Sequence, residues 1–222
     1  MGIPLIHYGD VIGIMALDSL KPGAYRQYHI ELAQVIAVHV VIALENARLH
    51  EKAYKMAMED ALTKIGSRYR FQMEGRIMFE TARRAKSSIS FIIFDIDHFK
   101  KVNDNYGHLS GDSVLQMMAK AVSEEVRIID LFARYGGEEF VVILPETEDS
   151  AALTVFKRIN NKLAGINYPR IKERVTVSAG VFSGIPEKDD SMETFVSRAD
   201  EALYFSKNNG RNRITLYSSQ QS

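Results

Sequence analysis

The chain has 222 residues, of which 46% are hydrophobic and 25% charged, as is ordinary for folded globular domains. Its 28 basic and 28 acidic residues cancel, which argues against a general DNA- or RNA-binding protein, because phosphate contacts normally demand a basic excess. The absence of cysteine excludes disulfides, thiol nucleophiles and cysteine-based zinc sites. It also fits a reducing compartment, so we expect a cytoplasmic location.

The N-terminal part of the chain predicts a β-hairpin followed by one long helix. Short apolar runs flank the turn signal Tyr8-Gly9-Asp10 within residues 2–16. Residues 25–58 contain no Gly or Pro and suit a helix. Apolar residues recur there at every seventh position, which favours pairing with a second helix and leaves packing on its own domain as the alternative: Val35, Ile42, Leu49 and Met56.

No membrane contact is expected within this chain. The longest apolar run, residues 35–44, is interrupted by His39 and falls short of the ~18 residues that suggest a membrane span. The N-terminus lacks a basic segment followed by an apolar core, so no signal peptide is expected.

After residue 60 the pattern becomes an alternation of helices and strands. Helices are predicted at residues 71–86, 111–126, 150–163 and 192–207. Strands are predicted at residues 89–94, 131–135, 140–144, 175–182 and 214–217. This alternation with one hairpin indicates an α/β (α+β) fold, in which helices pack on a central mixed sheet.

Two acidic residues follow the predicted strand at residues 89–94. Alternation along a strand would place Asp95 and Asp97 on one face, at the strand end where α/β folds bind ligands. Paired carboxylates suit Mg²⁺, which prefers oxygen ligands. The alternative is an exposed acid pair in a solvated turn.

A second candidate site is the segment Arg134-Tyr135-Gly136-Gly137-Glu138-Glu139-Phe140. Two glycines between strands predict a tight hairpin and let a ligand approach the backbone. Adjacent strand residues face opposite ways, so Glu138 and Glu139 should have different roles. A hairpin with merely polar flanks is the alternative.

Four motifs that occur in order resemble the GGDEF family of diguanylate cyclases. They are FDIDHFK at residues 94–100, NDNYGH at 103–108, Gly111-Asp112, and RYGGEEF at 134–140, the GGEEF form of the signature. The resemblance covers about residues 60–217. It implies a central mixed sheet flanked by helices, similar to the nucleotidyl cyclase and polymerase palm. It also implies an enzyme that condenses two GTP into cyclic di-GMP and two pyrophosphates.

The resemblance implies a magnesium site, with two ions expected when GTP is bound and Mn²⁺ as an alternative. The ligands would be Asp95, the backbone carbonyl of Ile96, and Glu138. Glu138 or Glu139 would assist deprotonation of the ribose 3′-hydroxyl, and Lys100 would stabilise the developing phosphate charge.

The other implied contacts are with GTP. Asn103 and Asp112 correspond to the guanine-reading pair, because a carboxylate can accept both N1–H and N2–H of guanine. His108 lies between them and is either a nucleotide contact or a structural residue. The remaining residues implied in GTP binding are Phe99, Lys207, Arg211, Gly136 and Gly137.

A further motif, Arg127-Ile128-Ile129-Asp130, resembles the RxxD site at which product inhibits this family. Arginine can fork onto phosphate or guanine, and Asp130 can accept from guanine N–H groups. Arg158 is a candidate third contact at this inhibitory site.

Residues 1–50 resemble the C-terminal part of a GAF domain, through IPLIHYGDVIGIMALDS and the helix ending IALENARLHE. We expect a helical linker at 51–59, the GGDEF domain at 60–217 and a tail at 218–222. The long helix would pair two chains, so that two active sites, each holding one GTP, face each other.

The opening of the domain departs from the family stretch DPLTGLxNRR. Ala61, Lys64 and Ser67 replace its Pro, Gly and Asn, which puts the geometry of this turn in question. Two other functions stay open: a non-catalytic module that senses GTP or cyclic di-GMP, and a dimerisation fragment that binds no nucleotide.

Overall fold

A computed structural model describes residues 1–217, which form seven strands and six helices. The predicted tail at 218–222 lies outside the described residues. The chain divides into two compact units, Met1–Lys55 and Met56–Ser222, and each is described by itself.

The first unit is a hairpin packed on a helix, as predicted. Strands β1 (Gly2–His7) and β2 (Asp10–Ala16) pair antiparallel, and helix α1 runs from Gln27–Met58. Their small core holds Ile3 and Leu5 of β1 against alanine and valine side chains of α1. Small helical residues allow the sheet to approach the helix closely.

The opposite face of α1 is apolar and exposed. Its heptad residues are about half exposed or more: Val35 at 55%, Ile42 at 51%, Leu49 at 55% and Met56 at 70%. Among the described helices, α1 is also the one long and apolar enough to cross a membrane, with a window mean hydropathy of 1.5. The count of uninterrupted apolar residues did not detect this apolar helix, because His39 breaks the run. The absence of membrane contact therefore stays a prediction.

The second unit is built on a five-stranded mixed sheet. Its strands are β3 (Ile89–Ile96), β4 (Leu131–Gly136), β5 (Glu139–Pro145), β6 (Val177–Gly184) and β7 (Ile214–Leu216). Their order is β4-β5-β3-β6-β7, with β6 and β7 parallel and the other neighbours antiparallel. The predicted mixed sheet is therefore confirmed.

Helices cover both faces of this sheet. They are α2 (Arg68–Ala85), α3 (Phe99–Tyr106), α4 (His108–Ser123), α5 (Asp149–Ala164) and α6 (Met192–Asn208). One core cluster joins the sheet to α2 and α6, and another joins it to α4 and α5. Helix α3 was not predicted, because its eight residues make only about two turns, too few to establish a helical period.

The central strand β3 determines which way the candidate site faces. All eight of its residues are buried, as expected for a strand covered on both faces. Phe91 and Ile93 pack in the cluster with α2 and α6, whereas Ile92 and Phe94 pack in the other. By this alternation Asp95 points toward the layer that contains α6.

The residues that depart from the family pattern are accommodated locally. Lys64 adopts the left-handed conformation, with φ of 62°, in a turn where Asp60 N–H donates to the Ile65 carbonyl at 2.8 Å. Ser67 caps α2, since its Oγ accepts from the backbone N–H of Arg70 at 3.2 Å.

Candidate active site

The candidate site lies where β3 leaves the sheet, next to the turn between β4 and β5. Asp95 is 8% exposed and is the register partner of Glu139 at the start of β5. The backbone N–H of Ile96 donates to the carbonyl of Glu138 at 3.3 Å. The strand end and the glycine turn are therefore adjacent in space, although 42 positions separate Ile96 from Glu138 in the sequence.

The glycine turn has an irregular geometry. Gly136 pairs with Glu139, so Gly137 and Glu138 form the turn, and the register shifts between Arg134 and Gly136. Gly137 has φ of 39°, a conformation that glycine adopts without a Cβ clash. Glu138 thus lies in the turn and Glu139 in the strand, so strand alternation does not apply to this pair, and their different roles stay a prediction.

Lys207 of α6 reaches into this acidic cluster. Its Nζ lies 3.0 Å from Oδ2 of Asp95. Burial raises the pKa of Asp95 to about 6; the hydrogen bond and charge of Lys207 oppose this rise, and the charges of Glu138 and Glu139 add to it. The site is therefore a partly desolvated carboxylate cluster with one nearby cation.

The donor set fits a hard divalent cation that is completed by its substrate. Among the described residues, no three His, Cys, Asp or Glu side chains are grouped to hold a metal ion. Asp95 and Glu138, with a backbone carbonyl, offer only oxygen donors, and Mg²⁺ commonly completes such a set with water and phosphates.

Asp97 does not join Asp95 in this cluster. Its carboxylate accepts hydrogen bonds from Ser178 Oγ at 2.6 Å, Thr176 Oγ1 at 2.7 Å and the backbone N–H of Asn212 at 2.9 Å. Ser178 is the register partner of Asp95 and also donates to Asp97, so the two carboxylates lie toward the same face of the sheet. Hydrogen bonds within the protein occupy Asp97, and the binding of Mg²⁺ by a pair of carboxylates stays a prediction.

Helices α3 and α4 bring the predicted guanine-reading residues together. Asn103 is half-buried on α3, and its Oδ1 is buried without a hydrogen-bond partner among residues 1–217. Asp112 is half-buried on α4, and His108 is exposed at the start of α4. Gly111 permits the contact, because a Cβ there would lie 1.9 Å from Asn103 Oδ1.

The other predicted GTP contacts differ in exposure. Lys100 and Arg211 are exposed. Phe99 is only 7% exposed and its side chain packs in the core, so its backbone is the part available to a ligand. Gly136 and Gly137 lie at the hairpin turn beside Glu138.

The predicted inhibitory residues form a separate group of ion pairs. Arg127 donates from Nη2 to Asp130 Oδ1 at 2.8 Å and to the carbonyl of Pro145 at 3.2 Å. Arg158 of α5 instead donates to the carbonyl of Glu125 at 2.6 Å. Arg158 thus binds a residue that lies two positions before Arg127 in the chain.

Sequence reasoning missed the structural use of Asp60. Asp60 accepts from the N–H and Oγ of Thr63 and lies 3.2 Å from Nη1 of Arg134. The signal available was an acid and a threonine three positions apart, a spacing typical of side-chain-stabilised turns.

Comparison with known proteins identifies the family. The family model for the diguanylate cyclase GGDEF domain matches residues 57–213. The chain belongs to the GGDEF family of diguanylate cyclases. This GGDEF chain is 37% identical over 221 residues to diguanylate cyclase A of Treponema denticola, covering 96% of the chain and 58% of that protein. The chain therefore spans little more than half of that relative's length.

Two solved GGDEF structures support the fold. The coiled coil and GGDEF domain of DgcB from Caulobacter crescentus, in complex with c-di-GMP, matches with a TM-score of 0.74 and 30% identity, covering 86% of this chain and all of that one. The active GGEEF domain of a diguanylate cyclase from Vibrio cholerae matches with a TM-score of 0.62 and 34% identity, covering 66% of this chain and 94% of that one. The predicted fold and family are confirmed.

Proposed function

We propose that this GGDEF domain condenses two GTP into cyclic di-GMP and two pyrophosphates. The observation that carries the proposal is the cluster of Asp95, Glu138 and Glu139 carboxylates beside Lys207, within a domain of the diguanylate cyclase family. A domain that only sensed nucleotide would have no need of a proton acceptor beside its metal-binding carboxylate.

The metal-binding residues of this proposal are Asp95, the carbonyl of Ile96 and Glu138. Bound Mg²⁺, or Mn²⁺ in its place, would neutralise negative charge on the triphosphate, with two ions per site when GTP is present. Lys207 pairs with Asp95 through one contact, and the remaining N–H donors of its ammonium group would bind phosphate oxygen.

Guanine would be read by Asn103 and Asp112. The buried Oδ1 of Asn103 lacks a donor among the described residues, and guanine offers N1–H and N2–H groups on one edge. Adenine has no such pair of donors, so it would leave these acceptors unpaired. His108, exposed at the start of α4, is the candidate further nucleotide contact.

The phosphates would lie between the start of α3 and the end of α6. Lys100 and the first backbone N–H groups of α3, including that of Phe99, would bind phosphate oxygens, as helix N-termini commonly do. Lys207 and Arg211 approach from the end of α6. Gly136 and Gly137 leave the hairpin backbone accessible to the substrate.

The reaction would transfer one proton and break one P–O bond at each site. Glu138 or Glu139 would accept the proton of the ribose 3′-hydroxyl. The 3′-oxygen of one GTP then attacks the α-phosphorus of the other, and pyrophosphate leaves with the bonding electrons. Lys100 and Lys207 would stabilise the extra negative charge on the phosphoryl oxygens.

Because each domain binds one GTP, the reaction requires two domains that face each other. We propose a homodimer formed through the exposed heptad face of α1, which would raise the local concentration of the second domain. DgcB, the relative solved with a coiled coil and a GGDEF domain, offers a parallel. We also propose that residues 1–50 are the end of a GAF domain and that the enzyme acts in the cytoplasm.

We further propose that Arg127 and Asp130 bind cyclic di-GMP as inhibitor, with Arg158 as a third contact. The guanidinium of Arg127 already lies in a carboxylate fork, the geometry by which arginine also binds phosphate. Product binding would require this pair to open.

The test is GTP turnover with Mg²⁺, with the product identified by mass. Unmodified protein should release cyclic di-GMP and pyrophosphate in a ratio of one to two. Glu138→Gln should abolish turnover and retain the fold, while Asp189→Asn, an exposed acid outside the site, serves as the matched control. Nucleotide binding without turnover by the unmodified protein would support the sensing alternative. A dimer that binds no nucleotide would support the interaction fragment.

A further inference from the structure

Asp97 lies beside the strand end proposed to bind metal, and most of its carboxylate is engaged by hydrogen bonds within the protein. The residue is 6% exposed and receives three hydrogen bonds, two on Oδ2 and one on Oδ1. A carboxylate has about four acceptor positions, so most of its capacity is used by Thr176, Ser178 and Asn212. Its own backbone N–H donates to the Thr176 carbonyl at 2.9 Å.

The third donor, Asn212, belongs to the loop that follows α6. Gly210, Arg211 and Asn212 are consecutive residues in the left-handed region, with φ of 102°, 59° and 47°. L-residues adopt this region only at a cost, and two of the three have a Cβ. A fixed hydrogen-bond acceptor is therefore needed to hold this backbone in one conformation.

The loop is attached to the rest of the domain at three points. The N–H of Arg211 donates to the Ser206 carbonyl at 3.0 Å, and the carbonyl of Arg213 accepts from Ala179 N–H at 2.8 Å. Between them, the N–H of Asn212 donates to Asp97. Of these acceptors only Asp97 is charged, and hydrogen bonds to charged groups are the stronger kind.

We propose that Asp97 is a positioning residue for the triphosphate: it fixes the loop that carries Arg211 to the strand end that carries Asp95. The inference rests on the proposed function, in which Arg211 contacts phosphate and Asp95 contacts the metal. Through Asp97, the spacing between these two substrate contacts is set within the protein before GTP binds.

Charge repulsion and positioning predict opposite changes in triphosphate affinity when this carboxylate is removed. A negative charge close to the phosphates repels them, so neutralising Asp97 should tighten triphosphate binding if charge alone mattered. If Asp97 instead positions Arg211, its removal should weaken triphosphate binding. Removal of Asp97 should also leave almost unchanged the affinity for a ligand that lacks the β- and γ-phosphates.

The test compares two probes in the full chain: the non-cleavable guanosine 5′-(α,β-methylene)triphosphate with Mg²⁺, and GMP. We expect Asp97→Ala and Arg211→Ala each to raise the Kd of the triphosphate about tenfold, the value of one charged hydrogen bond. The double variant should bind it no more weakly than Arg211→Ala alone, because both changes remove the same contact. Asp104→Ala, an exposed acid on α3, is the matched control.

Asp97→Asn guards against loss of the fold in Asp97→Ala. Asparagine retains the shape and one acceptor oxygen, so it should give a smaller loss of triphosphate affinity. It should also give faster amide hydrogen exchange in residues 209–213 at an unchanged Tm. Three outcomes would overturn the role of Asp97. The first is an equal loss of GMP and triphosphate binding, and the second is an additive loss in the double variant. The third is unchanged or tighter triphosphate binding in both Asp97→Ala and Asp97→Asn. Failure of the unmodified protein to bind either probe would instead overturn the proposed function, and this role with it.

Discussion

Arg134 connects Asp60, at the beginning of the GGDEF domain, to the glycine turn that carries the candidate catalytic glutamates. Its Nη1 lies 3.2 Å from Oδ1 of Asp60, while its Nε and Nη2 donate to the carbonyl of Gly137 at 2.9 and 2.7 Å. The position of the turn therefore depends on a contact 74 residues away in sequence. This gives the first motif of the domain a physical role at the site.

We expect Asp60→Asn to lower the free energy of unfolding by about 1–2 kcal/mol at neutral pH, because it loses a charged partner of Arg134. Burial alone would raise the pKa of Asp60, but hydrogen bonds from Thr63 and the charge of Arg134 outweigh it and hold the pKa below 3.8. A lowered pKa means that the stabilisation is present above 3.8 and is lost as the pH falls through the lower folded-state value.

Urea unfolding of both proteins at neutral and acidic pH measures this effect. The difference between Asp60→Asn and the unmodified protein should shrink in acid, and an equal difference at both pH values would contradict the assignment. Glu59→Gln is the matched control, because the exposed Glu59–Lys64 pair, at 3.5 Å, should contribute only about 0–1 kcal/mol.

Asp95→Asn should abolish turnover and yet stabilise the metal-free protein. Burial raises the pKa of Asp95 from 3.8 to about 6, so the folded state binds this proton more tightly than the unfolded state. The stability that this carboxyl contributes is therefore full below pH 3.8 and is lost as the pH rises through about 6. Above that range, the neutral amide should raise the free energy of unfolding by about 1–3 kcal/mol.

Thermal unfolding in the presence of a chelator, across this pH range, tests the expectation. The higher thermal stability of Asp95→Asn should vanish in acid. Added Mg²⁺ should reduce this difference, because it stabilises the unmodified protein. Asp189→Asn, an exposed change of the same type, should show no such pH dependence. A variant that is less stable at every pH would show that the Lys207–Asp95 pair outweighs the cost of burial.

Gly111→Ala should impair GTP binding more than the chemical step. The added Cβ would lie 1.9 Å from Asn103 Oδ1 and 3.1 Å from Cζ of Phe99, so the guanine-reading amide must move. We expect KM for GTP to rise about tenfold, the loss of one well-placed hydrogen bond to a buried acceptor. Steady-state kinetics of cyclic di-GMP formation measure KM and kcat separately.

The control for this change is Gly165→Ala, after α5, where the nearest heavy atom to an added Cβ lies at 3.5 Å and φ is −86°. It should leave KM and kcat unaltered. An unchanged KM in Gly111→Ala would mean that Asn103 does not contact guanine.

Arg127→Ala should relieve product inhibition without lowering the initial rate. Removing one charged hydrogen-bonding partner of the product should raise the inhibitory concentration of cyclic di-GMP about tenfold. The side chain of Asp130 is only 1% exposed but keeps the backbone N–H of residue 127 as a donor, and the lost guanidinium is half exposed, so the fold should be destabilised by about 1–2 kcal/mol. Initial rates at increasing product concentration give the inhibition constant, and inhibition that persists unchanged would exclude these residues as the product site.

Ile42→Glu with Leu49→Glu should dissociate the proposed dimer and reduce turnover at low protein concentration. Both side chains are about half exposed, at 51% and 55%, on the unpaired face of α1. Buried like charges would oppose pairing of two such helices. Light scattering and the concentration dependence of turnover measure the two effects, with Glu51→Lys on another face of the helix as control. A variant that remains dimeric would place the dimer contact elsewhere.

The sequence determined the architecture of this protein because its strands and helices differ in apolar periodicity, which is a local property. The mixed sheet and the hairpin were predicted in this way. Asp95 and Glu138 were predicted from acids beside a strand end and a glycine turn, and the role of Lys207 was implied only by the resemblance to the GGDEF family. Helix α3 escaped because its eight residues make only about two turns, too short a stretch to distinguish a helical pattern from a loop.

Only the tertiary structure decided what individual acids do. Asp95 and Asp97 are chemically identical and two positions apart, yet one lies beside Lys207 and the other accepts three hydrogen bonds from β6, its preceding residue and the loop after α6. Sequence spacing cannot separate them, because the partners that distinguish them come from segments about 80 to 115 positions away. The environment of a carboxylate, and therefore its chemistry, is set by non-local packing.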